Sequence, residues 1–354
     1  AGGGWVLRAI HGAPAALGAG PAAIRAVAER SPNYRDGVFV NRDPASLFSI
    51  DREQQRLILR EVVGGRGATR PAAPIPVASP PGCESRPGAV EVCWYGHSTA
   101  VVDVDGYRVL TDPVWSDRCS PSDVLGPQRM HPPPGELEAL PALDAIVISH
   151  DHYDHLDIDT VVALAQTQRA PFFVPLGVGA HLRAWGIPDQ RIVELDWNEH
   201  AKVDELTLVC TPARHFSGRF LNRNATLWAS WAIIGPTHRA YFGGDTGYTE
   251  SFAEIGAEHG PFDVTLLPIG AYNKAWPDIH MNPEDAVRAH RDLGGRLLVP
   301  IHWCTFRLAP HPWAEPIERL LAAAEASDVT VAVPKPGQRV EPGALAELDP
   351  WWRL

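Results

Sequence analysis

The sequence predicts an α/β protein in which helices cover sheets, and three observations carry that expectation. From Val90 onward short apolar runs recur, at residues 90–94, 100–104, 108–111, 145–149, 172–174, 206–210, 228–234, 240–242, 264–267, 297–300 and 329–333, punctuated by turns such as Val104-Asp105-Gly106. Helical periodicity falls between several of them, at 157–168, 177–185, 283–293 and 316–326. Polar residues able to bind metal then stand directly after apolar runs, where α/β folds place functional groups.

Before residue 89 the pattern changes. Residues 21–30 read as a short Ala-rich helix, and 31–44 as an irregular strap centred on Val38-Phe39-Val40. Residues 66–87 are rich in Pro, Ala and Gly, which excludes a helix or central strand and leaves an extended connection over the surface. We expect residues 1–88 to be an extension packed on the core and 89–354 to be the functional domain. Trp5, Leu7, Ile10, Phe39 and Phe48 of the extension would line an apolar entrance or cover the core.

Composition narrows the function classes. With 45% hydrophobic and 21% charged residues, the chain reads as ordinary globular material. A net charge of -11 opposes the broad phosphate-neutralising surface of a nucleic-acid binder, so no nucleic acid is expected as a partner. Five scattered cysteines without a CxxC pair suggest neither a disulfide framework nor a thiolate metal site. No apolar run approaches the roughly 18 residues of a membrane span. The expectation is a cytoplasmic protein, with peripheral membrane contact and a homodimer as compatible arrangements and a removed leader as an open alternative, since the chain starts at Ala1.

The densest signal is Ser149-His150-Asp151-His152-Tyr153-Asp154-His155. It sets three imidazoles and neighbouring carboxylates on a loop between an apolar run and a helix start at Asp157, the expected N-cap. Imidazole nitrogen with carboxylate oxygen suits zinc, iron or manganese, and such a loop can serve two ions. Two ions need further donors, and three strand-like runs end in them: 206–210 leads to His215, 240–242 to Asp245, and 297–301 to His302.

These motifs, with Thr111-Asp112-Pro113, resemble in order the five motifs of the metallo-β-lactamase fold superfamily. More narrowly, the chain is similar to the N-acyl-phosphatidylethanolamine-hydrolysing phospholipase D family. Trp94-Tyr95-Gly96-His97-Ser98-Thr99, residues 111–127, Glu194-Leu195-Asp196-Trp197, Gly243-Gly244-Asp245-Thr246-Gly247-Tyr248, Pro268-Ile269-Gly270-Ala271-Tyr272 and Ile301-His302-Trp303 carry that likeness. The resemblance implies a four-layer αββα sandwich with a dinuclear metal site at the edge of the sheets. It implies His150, His152 and His215 on one ion, Asp154, His155 and His302 on the other, and Asp245 bridging. It also implies zinc as the usual metal. Two positions depart from the lipid-hydrolysing mammalian pattern: Ile279, where Gln is usual, and Asp151, where Asn is usual.

A pair of cations bridged by a carboxylate can supply hydroxide near neutral pH and neutralise phosphoryl oxygens, which makes a phosphodiester a natural substrate; the resemblance implies that the enzyme is a metal-dependent phosphodiesterase of phospholipase D type. Its expected substrate is N-acyl phosphatidylethanolamine or a related phosphodiester. Asp154 would also hold the hydroxide's proton, and Asp112 would orient a ligating imidazole, its alternative being a plain turn residue. His280 would bind phosphate or protonate the leaving oxygen, and His97 would pack against the metals. Tyr153, Tyr272 and Arg214 are candidate substrate contacts, with Arg219 and Arg223 beside Arg214 as further candidates for phosphate. Cys304 reads as a buried inert thiol. His181 and His131 have no matching context and no assigned role. A lactonase or β-lactamase-type hydrolase using the same centre is the alternative function, and a non-catalytic metal-binding protein a third.

Overall fold

The computed structural model describes residues 12–45, 69–80, 89–219 and 222–354. Trp5, Leu7, Ile10 and Phe48 lie outside the described residues, as does Cys83. In chain order the elements are α1 (Ala13–Ala16), α2 (Pro21–Ala28), β1 (Tyr34–Arg35), β2 (Val38–Phe39), β3 (Val90–Gly96), β4 (Thr99–Val104), β5 (Tyr107–Thr111), β6 (Ala145–Val147), α3 (Ile158–Thr167), β7 (Phe172–Pro175), α4 (Val178–Ala184), β8 (Ile192–Leu195), β9 (His200–Val203) and β10 (Leu206–Thr211). There follow β11 (Gly218–Arg219), β12 (Asn222–Arg223), β13 (Ser230–Ile234), β14 (Arg239–Phe242), α5 (Ser251–His259), β15 (Val264–Pro268), α6 (Pro283–Asp292), β16 (Leu297–Ile301), α7 (Glu315–Ala326) and β17 (Arg339–Val340).

Two large sheets form the centre of the molecule. One runs β17-β3-β4-β5-β6-β7-β8 and the other β16-β15-β14-β13-β10-β9. The pleat explains the layering, because successive side chains of a strand point to opposite faces. In β3, Val92 and Trp94 enter the core between the sheets while Cys93 and Tyr95 face outward; β6 does the same, with Ala145 and Val147 inward and Ile146 outward. The outward set meets Val161 and Leu164 of α3 and Val178 and Leu182 of α4. On the far side, Phe252 of α5, Val287 of α6 and Leu320 of α7 join the same core as β15 and β16. The order is helices, sheet, sheet, helices, the αββα sandwich. Strands with both faces buried explain why these runs read as continuously apolar rather than alternating.

The sequence-predicted elements fall within a few residues of the observed ones, with one exception. Residues 329–333 form only a single parallel bridge, Leu298 to Val331. β8, β9, β17 and α5 were not expected. Gly256 sits inside α5, where glycine argues against a helix; a Cβ there would lie 2.2 Å from the Asp292 carbonyl oxygen, so the residue permits close approach of α5 to the end of α6. Asp157 occupies the N-cap position of α3, yet its carboxylate takes the Ser116 N–H and the Thr160 hydroxyl instead of capping the helix.

The described part of the extension lies against the same core. Ala28, Phe39 and Ile75 pack among inter-sheet residues, and Ile24 packs with Ala180 of α4. Asn41 accepts the His215 N–H at 3.1 Å and donates to the His215 carbonyl at 2.8 Å.

Candidate metal centre

Strand ends assemble the site. Strands β5 to β8 run parallel, as do β14 to β16, so their carboxyl ends lie together at one edge. His97 follows β3, Asp112 follows β5, His150 to His155 follow β6, His215 follows β10, Asp245 follows β14, His280 follows β15 and His302 follows β16. His97, Asp112 and His302 hold φ of 51°, 31° and 60°, in the left-handed region that non-glycine residues rarely adopt. Such backbone persists only where the surroundings fix it. Here the His302 N–H donates to the His97 carbonyl at 2.9 Å, tying two of these turns together.

All the expected ligands converge. Four overlapping groups, His97/Asp154/His155/His302, His150/His152/His215, His150/His155/Asp245 and His215/Asp245/His280, each bring their donor atoms within 4.8 Å of one another. His150 Nε2 lies 2.7 Å from His152 Nδ1, and His215 Nε2 lies 3.4 Å from the same nitrogen. His155 Nε2 is 3.2 Å from Asp154 Oδ2 and 3.3 Å from Asp245 Oδ2, while His302 Nε2 is 3.4 Å from Asp154 Oδ2 and 3.0 Å from Asp245 Oδ1. Asp245 Oδ2 also stands 3.7 Å from His215 Nε2, which places this carboxylate between the two groups of imidazoles.

Whether this set suits a metal follows from where its protons are. The Ile279 carbonyl, 2.8 Å from His215 Nδ1, can only accept, so Nδ1 carries the hydrogen and Nε2 is left with a lone pair. Asp112 Oδ2, 2.6 Å from His155 Nδ1, acts in the same way on that ring. The Ser149 hydroxyl donates to Asp112 Oδ2 and so accepts from His150 Nδ1 at 2.9 Å. His150 and His215 thus turn bare Nε2 atoms into the site, and His155 turns its Nε2 toward Asp154 and Asp245. His155 Nε2, His302 Nε2 and Asp245 Oδ1 are buried without a hydrogen-bond partner. Tetrahedral zinc with bonds of 2.0–2.1 Å separates its donors by about 3.3 Å, close to the spacings around His155 and His302. The donor set fits divalent cations.

Electrostatics agrees. Burial pulls His150 and His215 well below the ordinary imidazole range and lowers His152, which keeps all three neutral and able to coordinate. Burial alone would raise Asp154 and Asp245, but the neighbouring imidazoles, His155 foremost, hold both well below the usual carboxylate range. The carboxylates in turn overcome burial to push His155 well up and His302 to about 9. A pocket that favours a proton on these two rings favours a metal cation in its place.

Asp112 is fully buried and accepts three hydrogen bonds: Ser149 N–H and hydroxyl at 2.6 Å each, and His155 Nδ1–H. His97, also buried, meets Asp154 Oδ2 at 2.9 Å through Nε2 and lies 4.1 Å, ring to ring, from His302. His280 Nδ1 is buried without a partner, 3.8 Å from Asp245 Oδ2. Cys304 is a buried free thiol whose ionisation burial opposes.

The other candidates are positioned differently from one another. Arg214 is tied down: its guanidinium bonds the Pro44 and Tyr248 carbonyls and lies 3.3 Å from Asp278. Tyr272 donates its hydroxyl to Glu315 at 2.7 Å and stacks on His311. Tyr153 packs with Val114, Cys119, Phe306 and Leu308, its hydroxyl buried and unpartnered. Arg219 covers the Tyr153 ring at 4.1 Å and donates to the Asp151 and Leu156 carbonyls, bracing the ligand loop.

Two histidines without an assigned role support this loop and the His97 turn. The Ala19 N–H donates to His181 Nδ1, so His181 Nε2–H faces Asp151 Oδ2 at 3.3 Å. Asp151 also accepts from Gly218 N–H and the Thr226 hydroxyl. His131 Nδ1–H donates to the Pro132 carbonyl, leaving Nε2 for the Thr305 hydroxyl, which itself accepts the His97 N–H at 2.7 Å. Neither histidine stands in a motif, so no sequence signal marks them as supports of the site.

Comparison with known proteins accords with this geometry. The family profile described as Beta-lactamase superfamily domain matches residues 107–303. An uncharacterised protein of Mycobacterium tuberculosis is 72% identical over 100% of this chain and 96% of its own length. An N-acyl-phosphatidylethanolamine-hydrolysing phospholipase D of Caenorhabditis elegans is 41% identical over 64% of this chain and 67% of its own. Among solved structures, a metallo hydrolase of the archaeon Ignicoccus hospitalis is 27% identical, with a TM-score of 0.56, covering 71% of this chain and 97% of its own. The chain therefore belongs to the metallo-β-lactamase fold superfamily, as a metal-dependent hydrolase with relatives among the N-acyl-phosphatidylethanolamine-hydrolysing phospholipases D.

Proposed function

We propose that this chain is a phosphodiesterase of phospholipase D type, converting N-acyl phosphatidylethanolamine or a closely related phosphodiester and water into phosphatidic acid and an N-acyl ethanolamine. The observation that carries the reading is the convergence of imidazole nitrogens on the Asp154 and Asp245 carboxylates at the strand ends. The 41% identity to a relative bearing that activity's name supports the choice of substrate. His150, His152 and His215 would hold one divalent cation, Asp154, His155 and His302 a second, with Asp245 shared and zinc the metal. Bound there, such cations supply activation of water and neutralisation of charge on phosphoryl oxygens.

The chain's own groups do the rest. Asp112 fixes the His155 ring by taking its Nδ1 proton in hydrogen bond, and Ile279 does the same for His215. His97 holds Asp154 Oδ2 in place. Burial lowers His280 to about 4, so near neutral pH it is an uncharged imidazole. Its part is then to donate an N–H to a phosphoryl oxygen rather than to act as an imidazolium acid. Water oxygen adds to phosphorus, the bond from phosphorus to the ethanolamine oxygen breaks, and that oxygen leaves with a proton from water.

The test is product analysis by mass spectrometry after incubating the metal-loaded chain with N-acyl phosphatidylethanolamine in 18O-labelled water. Label in phosphatidic acid and none in N-acyl ethanolamine is the expected result. Turnover of lactones or β-lactams with no cleavage of any phosphodiester would assign the site to carbonyl chemistry instead.

A further inference from the structure

Beside the metal centre lies an open groove of about 430 Å³ lined by Arg70, Arg118, Gln128, Trp276, Arg307 and Leu308, among others. No carboxylate lines it, although the chain carries a net charge of -11. Its walls come from the extension, the loop after β5, the loop after β15 and the loop after β16, the last two of which also supply His280 and His302. Arg118 donates one N–H to the Gly126 carbonyl at 2.7 Å. Among the described residues, Arg70 and Arg307 have neither an ion-pair nor a side-chain hydrogen-bond partner. Arg307, Leu308 and Ala309 are shared with a narrow cavity that reaches His302, so the groove and the metal centre adjoin.

Three guanidinium groups line one hollow that no carboxylate lines, the nearest acid, Asp117, being engaged by Gln128, and an anion relieves their mutual repulsion. Guanidinium forks match the oxygens of phosphate in pairs. Trp276 and Leu308 add apolar wall for the carbon that a phosphate ester carries. We propose that this groove is a second anion subsite, which binds a phosphate group remote from the bond that is broken. The inference rests on the phosphodiesterase reading only for where that phosphate comes from: it is carried by a related phosphodiester that bears a second phosphate, since N-acyl phosphatidylethanolamine has only the one at the cleaved bond, or it is free inorganic phosphate.

Two measurements on the metal-loaded full chain test it. Calorimetric titration with inorganic phosphate should show two sites per chain in wild type, the metal centre and the groove, and one in R118Q/R307Q with its metal content and melting temperature unchanged. One site in both proteins overturns the proposal. Kinetics then identify the source, using methyl 4-nitrophenyl phosphate and a 4-nitrophenyl phosphodiester of glycerol that bears a terminal phosphate. If the substrate carries the phosphate, KM for the second diester rises by about tenfold per arginine removed, with kcat and the methyl diester unaffected. If the second site is present but neither KM moves, the occupant is free phosphate. An equal loss with both diesters overturns the subsite. A wild-type chain that cleaves neither diester defeats the functional reading, while the phosphate stoichiometry still decides the groove.

Discussion

Asp112→Asn offers a sharp test of how the metal centre is built. The carboxylate has no exposure and its oxygens take three donors, Ser149 N–H at Oδ1 and both the Ser149 hydroxyl and His155 Nδ1–H at Oδ2. An amide has one accepting oxygen, so whichever way Asn is turned its NH2 group faces at least one of these donors. Leaving one buried donor unmatched costs about 1–3 kcal/mol. If the amide oxygen keeps His155, the Ser149 N–H loses its acceptor; if it keeps Ser149 N–H, His155 is freed to rotate or change tautomer. Losing the group that orients a ligating imidazole typically lowers metal affinity by about 10–100-fold. The assay is zinc competition against a chelator of known affinity, alongside denaturant unfolding of the metal-free chain. We expect both the affinity loss and the stability loss. A variant destabilised by the stated amount whose metal affinity stays at wild type would make Asp112 only a turn residue before Pro113 and refute its orienting role.

Other expectations follow from the same network. Asp151→Asn keeps the size of the side chain but removes an acceptor from among Gly218 N–H, the Thr226 hydroxyl and His181 Nε2–H, so unfolding should cost about 1–3 kcal/mol less with metal content retained; an unchanged melting temperature would count against a supporting role. Gly247→Ala would set a Cβ 1.9 Å from the Asp278 carbonyl oxygen, beside Asp245, and should abolish soluble, metal-loaded protein; normal expression and metal content would contradict the tight packing. Burial lowers His290 from 6.5 to about 4. The unfolded chain takes up that proton near pH 6.5 and the folded chain only near 4, so stability present above 6.5 is lost as pH falls toward 4. The loss is on the order of 3 kcal/mol. His290→Gln should flatten that part of the wild-type stability profile in chemical denaturation, and parallel profiles would rule the contribution out.

The sequence revealed the ligand loop because its signal is local: strand, short-spaced donors and helix start occupy some twenty consecutive residues. His215, Asp245 and His302 were legible because each closely follows an apolar run that forms a largely buried strand. The division of the strands between two sheets was not legible, since pairings such as β17 with β3 join residues far apart in the chain. β9 escaped notice because it is short and only half apolar, with exposed His200 and Lys202 alternating with half-buried Ala201 and Val203. His131 and His181 were missed for a different reason: their meaning comes only from partners at Thr305 and Asp151. The fate of Arg214 is likewise tertiary, since Pro44 and Asp278 claim a guanidinium that stands beside His215 in sequence.

The central claim is tested most directly by stripping the chain of metal and titrating zinc back while following cleavage of a phosphodiester. No turnover is expected in the stripped protein, with recovery complete at two equivalents of zinc per chain and Asp245→Asn inactive at any zinc level. Full phosphodiester turnover by the metal-free chain, or undiminished activity in Asp245→Asn, would contradict it.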